Sequence, residues 1–143
     1  GHGGPFGPHQ IHYARLDAAG NPVIDAKRVS APEQALEAGA NFPYLALAGQ
    51  GTVIVAWEHY PDFAGRPDGL GIAISRSRGR SFSAPALVPG STESGLGFNG
   101  SLQGMLMQKL AVGPDGLIHI VNSRVEPGVR SRIRMLRGRL QPR

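Results

Sequence analysis

The sequence predicts an all-β protein, on three observations. Twenty-one glycines and twelve prolines among 143 residues are too many for packed helices, whose interiors both residues weaken. The apolar runs are short and separated by Gly/Pro punctuation, as in a sandwich, barrel or propeller. Strand–turn–strand units recur along the chain, whereas only Pro32–Gly39 carries apolar residues at helical spacing. The length suits one domain with its own core.

Residues 1–10, GHGGPFGPHQ, read as a flexible lead-in or an expression scar, and 11–143 as a single region. Ile11–Leu16 is a strand with Ile11, Tyr13 and Arg15 on one face. Asp17–Pro22 is a turn, because Gly20 and Asn21 tolerate positive φ and Pro22 blocks further pairing. Val23–Val29 returns as a second strand, and residues 30–42 form a connection with room for one helical turn. Tyr44–Ala48, the turn Gly49–Gly51 and the run Thr52–Trp57 follow. That continuous β-branched run suits a strand covered on both faces. Glu58–Gly71 reads as a long loop, Ile72–Pro85 as a hairpin with its second strand entered through Phe82, and Pro89–Met105 as a second loop. Lys109–Val112, the Pro114–Gly116 turn, Leu117–Val121 and a last strand Arg132–Leu136 complete the chain.

Two offsets make this a repeat. Leu45-Ala46-Leu47, followed by Gly51-Thr52-Val53, matches Leu110-Ala111-Val112, followed by Gly116-Leu117-Ile118, at a shift of 65. Ile11, Ile72 and Ile133 stand 61 apart, and each is followed four residues later by an arginine: Arg15, Arg76 and Arg137. With the four strands of one unit labelled A to D, the chain reads C-D (11–29), A-B-C-D (44–88) and A-B-C (109–136).

Within the hairpin, Ser75-x-Ser77-x-Gly79-x-Ser81-Phe82 is followed by Ser83 and Pro85. The stretch resembles the Asp-box, or BNR repeat, of sialidase-like β-propellers, Ser-x-Asp-x-Gly-x-Thr-Trp followed by Ser-x-Pro. Ser77 stands where the motif has its aspartate. The resemblance implies a partial β-propeller of about two four-stranded antiparallel blades; a β-sandwich is the alternative fold. Propellers close with about 4–8 blades, so the expectation is either a piece of a longer propeller or several copies in a ring, three copies giving about six blades. In the motif, Ser75, Ser77, Gly79, Ser81 and Phe82 have a structural role, tying the turn and anchoring it in the apolar layer. The same resemblance points to a secreted or periplasmic setting.

The charge of +5 comes from thirteen arginines and two lysines against ten acids. Seven of the arginines lie between Arg124 and Arg143. Without interleaved aromatics for base stacking, they read as a solvated edge strand and tail rather than a nucleic-acid face. No cysteine is present, which excludes disulfides. The longest apolar run, Val53–Trp57, is far below the ~18 residues of a membrane helix. The expected partners are accordingly a carbohydrate or protein ligand, together with missing blades or further copies of the chain.

In a propeller the connections 30–43, 58–71, 89–108 and 124–131 would share one face, where long connections commonly carry function. Ligand-binding candidates there are Glu58, His59, Tyr60, Asp62, Arg66, Asp68, Arg124 and Arg130. Glu58 and Tyr60 are the catalytic candidates, because sialidases use a tyrosine nucleophile with a glutamate as its base. The arginine motif of sialidase sites is missing from this chain, so the leading expectation is a non-catalytic segment displaying loops for glycan or protein binding. Part of a sialidase-like glycoside hydrolase, with its remaining catalytic residues elsewhere, is the alternative. Asp62 and Asp68 offer oxygens to Ca²⁺, but their spacing matches no established loop. His12 and His119 lack partners at zinc spacing, so no cofactor is expected.

Overall fold

The computed structural model describes residues 9–30, 38–61, 67–92, 109–124 and 132–140. Within them the chain is all-β, with strands β1 (His12–Leu16), β2 (Pro22–Arg28), β3 (Gly39–Ala48), β4 (Thr52–Tyr60), β5 (Gly69–Ser75), β6 (Ala86–Leu87), β7 (Leu110–Val112), β8 (Leu117–Arg124) and β9 (Arg132–Arg139). They pair antiparallel into three sheets, β1-β2, β3-β4-β5-β6 and β7-β8-β9, none of which closes on itself.

The central sheet is apolar on both faces, because β4 alternates two apolar sets. Val53, Val55 and Trp57, with Ala73 of β5, pack against Tyr13 of β1 and against Ile11 and Val29, which flank the first sheet. Ile54 and Ala56, with Leu70, pack against Leu110, Ile118 and Ile120 of the third. The sheets therefore stack face to face with β4 at the centre. Each fully buried aliphatic side chain contributes about 1.5–3 kcal/mol through its removal from water.

Several boundaries differ from the sequence expectation. β3 begins at Gly39, before Tyr44, and absorbs Phe42 and Pro43 in a bulge between Asn41 and Tyr44; Phe42 takes φ 52° there. β4 continues through Glu58 to Tyr60 and β5 starts at Gly69, so the loop between them is shorter than 58–71. β8 and β9 run on to Arg124 and Arg139. The expected second hairpin strand does not start at Phe82: β6 is only Ala86–Leu87, because Ser83 accepts the Ile74 N–H through its side-chain Oγ in place of its backbone carbonyl and Pro85 has no N–H to donate. The helical turn expected near Pro32–Gly39 falls largely on 31–37, outside the described residues, and Gly39 itself is strand.

The repeat register also shifts. Val55 lies opposite Ala73, and Ile120 opposite Leu136. Val55 and Ile120 are 65 residues apart, but Ala73 and Leu136 are 63 apart, so Ile133 corresponds to Leu70 and not to Ile72. A two-residue slip keeps every side chain on its face, and for that reason the apolar pattern alone did not distinguish 61 from 63.

The turn after β5 is held by serines. Ser75 Oγ accepts hydrogen bonds from the N–H groups of Ser77 (3.2 Å) and Gly79 (2.8 Å), and Ser77 Oγ accepts from the N–H of Ser81 (2.9 Å). Gly79 has φ 85°, and a Cβ there would run into the ring of Tyr13. That ring meets Phe82 edge-on at 5.0 Å between centroids. Ser75 is fully buried, so Ser75→Ala leaves two N–H groups without their acceptor. The expected loss is about 1–3 kcal/mol in a urea titration; an unchanged midpoint would show that the turn holds without its serine.

Candidate functional site

The strand ends at β3-Gly39, β4-Tyr60, β5-Gly69 and β7-Leu110 lie at one end of the stacked sheets, opposite the tight turns at Asp17–Asn21, Gly49–Gly51 and Gly113–Gly116. Because β4 stays extended to Tyr60, alternation carries Ile54, Ala56, Glu58 and Tyr60 onto the face that meets the third sheet. Glu58 is 0% exposed. Lys109, immediately before β7, donates from Nζ to Glu58 Oε1 at 3.1 Å, and the Tyr60 hydroxyl donates to Oε2 at 3.3 Å. The Lys109 ammonium also sits over the Tyr44 ring, 5.7 Å from its centroid. The cluster thus ties the second sheet to the third through a charged pair whose carboxylate is fully buried and whose lysine side chain is 12% exposed, a geometry that tolerates little displacement.

Burial, followed by the adjacent Glu58 carboxylate, pushes the Tyr60 phenol up to about 12, opposed by a side-chain hydrogen bond from Asn41. Burial likewise raises Tyr44, with Lys109 opposing. A phenol so held donates a hydrogen bond and is a poor source of phenolate near neutral pH. Since the folded value exceeds the unfolded value of 10.0, the folded state binds this proton more tightly. Its contribution to stability is complete below pH 10 and disappears as the pH rises through about 12. Tyr60→Phe is expected to remove the highest-pH step of a tyrosinate absorbance titration and to flatten the stability loss above pH 10. The same profile in the variant would remove Tyr60 as its source.

On the other face of β4, His59 Nδ1 lies 2.8 Å from Asp68 Oδ1, joining the two ends of the β4–β5 connection. Both side chains are partly exposed, at 23% and 36%. Asp68 is thereby engaged by an imidazole. Among the described residues no group of three His, Cys, Asp or Glu side chains has a geometry to hold a metal ion. Asp62, Arg66 and Arg130 lie outside the described residues; Arg124 ends β8, and its side chain is likewise outside the description. Of the eight binding candidates, Glu58 and Tyr60 are hydrogen-bonded to each other, and His59 and Asp68 form a second pair.

Three contributors were not singled out from the sequence: Lys109, Tyr44 and Asn41. A signal for two of them was present, because the 65-residue offset sets Lys109 at the position of Tyr44, and the two meet in the structure.

No protein-family model matches the chain, and comparison with curated proteins and with solved structures finds no match. Fold and site define an all-β protein of three antiparallel sheets, the second and third of which are joined at one end by a buried Glu–Lys–Tyr cluster. No helix among the described residues is long and apolar enough to cross a membrane.

Proposed function

We propose that this chain is a non-catalytic segment of a sialidase-like, Asp-box β-propeller, and that the loop-bearing end of its sheets binds a glycan or protein ligand. Face-to-face stacking of two-, four- and three-stranded sheets supports the architecture, as does the Ser75–Phe82 turn, where Ser77 Oγ takes the backbone bond to Ser81 expected of the motif's aspartate. Uncovered apolar surface supports it further. Leu45 and Leu47 on β3 are exposed where the two-stranded first sheet stops short, and Val121, Ile133 and Met135 are exposed on the outer side of the third. Contiguous apolar faces of this kind call for covering sheets, from a longer chain or from further copies. A trimer in solution, about six blades, would favour the ring; a folded, soluble monomer would favour the sandwich.

The observation carrying the functional reading is the polar end of β4. His59, Tyr60 and Asp68 are partly exposed there; His59 and Asp68 hold each other, and Tyr60 is held by the buried Glu58. Fixed polar groups on a rigid support suit recognition of a hydroxyl-rich or polar surface. Catalysis by Glu58 and Tyr60 is disfavoured, since the carboxylate is sealed from solvent and neutralised by Lys109 and the phenol is held protonated. The test is a glycan array read with the protein and with His59→Ala, Tyr60→Phe and Arg66→Ala variants. Loss of a bound glycan in the first two supports the site, while binding untouched by all three places recognition elsewhere.

A further inference from the structure

We infer that the arginine-rich turn after β5 is a binding site for a sulfated polysaccharide, independent of the ligand proposed for the opposite end of the sheets. The turn settles between two cations of the first sheet. Arg15 Nη1 donates to Arg78 O at 2.8 Å, and Lys27 Nζ donates to Arg80 O. Both cations come from the face of the first sheet that carries Tyr13, because Lys27 lies opposite Tyr13 and Arg15 stands two residues further along β1. Four cations, Arg15, Lys27, Arg78 and Arg80, are thereby gathered round one turn. The bonds that gather them run to backbone carbonyls, so they leave the positive charges uncancelled.

Among the described residues no carboxylate pairs with any of the four; the ion pairs there are His59–Asp68 and Glu58–Lys109, at the other end of β4. Asp17, the acid next to β1, uses its oxygens on the N–H groups of Ala19 and Asn21 and on the Asn21 amide. Asp25 faces outward, by alternation from the inward-packed Ile24. Arg78 and Arg80 are exposed. Arg78 also takes φ 58°, a left-handed backbone that suits glycine or asparagine better than arginine. Guanidinium forks match tetrahedral oxyanions through parallel hydrogen bonds, and sulfate has the oxygen geometry of phosphate.

What else the turn presents selects the occupant. Residues 76–81, Arg-Ser-Arg-Gly-Arg-Ser, include no apolar side chain to enter a membrane and no aromatic on which a base could stack. Phe82, which follows, packs its ring against Tyr13. A polar sugar chain with repeated sulfate groups fits the cations that remain. Sheets added by a longer chain or by further copies cover faces and edges of the stack. This turn instead lies at its end, beside Gly49–Gly51, where the Arg78 N–H donates to Gly51 O at 3.0 Å.

The experiment measures fluorescence anisotropy of a labelled heparin octasaccharide with the full chain, and of the same octasaccharide after desulfation, which keeps its carboxylates. The expected result is binding of the first and at least about tenfold weaker binding of the second. Arg78→Gly with Arg80→Gln should weaken the sulfated form at least about tenfold. Its thermal transition should be retained, because glycine relieves the left-handed backbone at position 78. Arg137→Gln with Arg139→Gln removes the same charge from β9 and should change the affinity by less than about threefold. Four results would overturn the inference. They are no binding of the sulfated octasaccharide, equal binding of its desulfated form, equal losses in the two neutralised pairs, and displacement by single-stranded DNA or phosphatidylserine vesicles at a lower concentration than by unlabelled octasaccharide. The third would make net charge the cause, and the last would make the turn a nucleic-acid or membrane surface. If the glycine-containing pair fails to fold, Arg80→Gln alone, compared with Arg137→Gln alone, decides the matter by the same criterion of unequal loss.

Discussion

Lys109→Ala is expected to destabilise the protein by about 3–5 kcal/mol, the cost of removing one partner from a buried ion pair. Glu58 has no solvent exposure, and Lys109 Nζ is 3.1 Å from its Oε1. Truncation takes the Lys109 ammonium away from a fully buried carboxylate and strips the cation from the face of Tyr44. Removing both charges has a different outcome. Glu58→Leu combined with Lys109→Met should recover most of the loss, because desolvating the pair cancels much of its Coulombic attraction. Urea unfolding of the two single variants and the double variant measures the coupling. A single-variant loss below about 1 kcal/mol would match an exposed pair and would contradict the sealed site described above.

Trp57→Ala should cost about 3–5 kcal/mol, as for other buried aromatic truncations. The indole is 1% exposed and lies against Gly71, its cross-strand partner on β5. A Cβ added at Gly71 would overlap the ring, so Gly71→Ala overpacks the same spot and should cost about 1–3 kcal/mol. The two changes share one volume and should not add. In the Trp57→Ala background the extra methyl fills space that the ring has vacated, and Gly71→Ala should become neutral or stabilising. Full additivity in a thermal or urea series would mean that the indole does not occupy this position.

The central strand was legible in the sequence for a simple reason. Thr52–Trp57 is apolar at consecutive positions, which only a strand covered on both faces accommodates. The turns were legible as well, since Gly20, Gly51, Gly79 and Gly116 all take positive φ. Strand lengths were harder to read. Polar residues such as Glu58 and Tyr60 resemble a loop in sequence, yet β4 continues through them because Asn41 and Gly39 of β3 pair with them. The bulge at Phe42-Pro43 similarly hid the start of β3 behind a proline.

At the candidate site, Glu58, His59 and Tyr60 are legible in the sequence as three polar or aromatic side chains directly after the apolar run Thr52–Trp57. Alternation then placed Glu58 with Tyr60 once the strand was known to extend. The partner of Glu58 was not readable. In a chain with thirteen arginines a lysine was an unlikely choice of counter-ion, and Lys109 is 51 residues away. Only the stacking of the third sheet on the second brings them together.

By itself, then, the sequence determined an all-β chain, the doubly covered β4, and the turn chemistry of Ser75–Phe82, because periodicity and positive-φ glycines act over a few residues. The tertiary structure decided the 63-residue register of β9 against β5 and the burial of Glu58 beneath Lys109. Each of these depends on which strand lies beside which, and a two-residue slip or a distant lysine leaves no mark on a local apolar pattern.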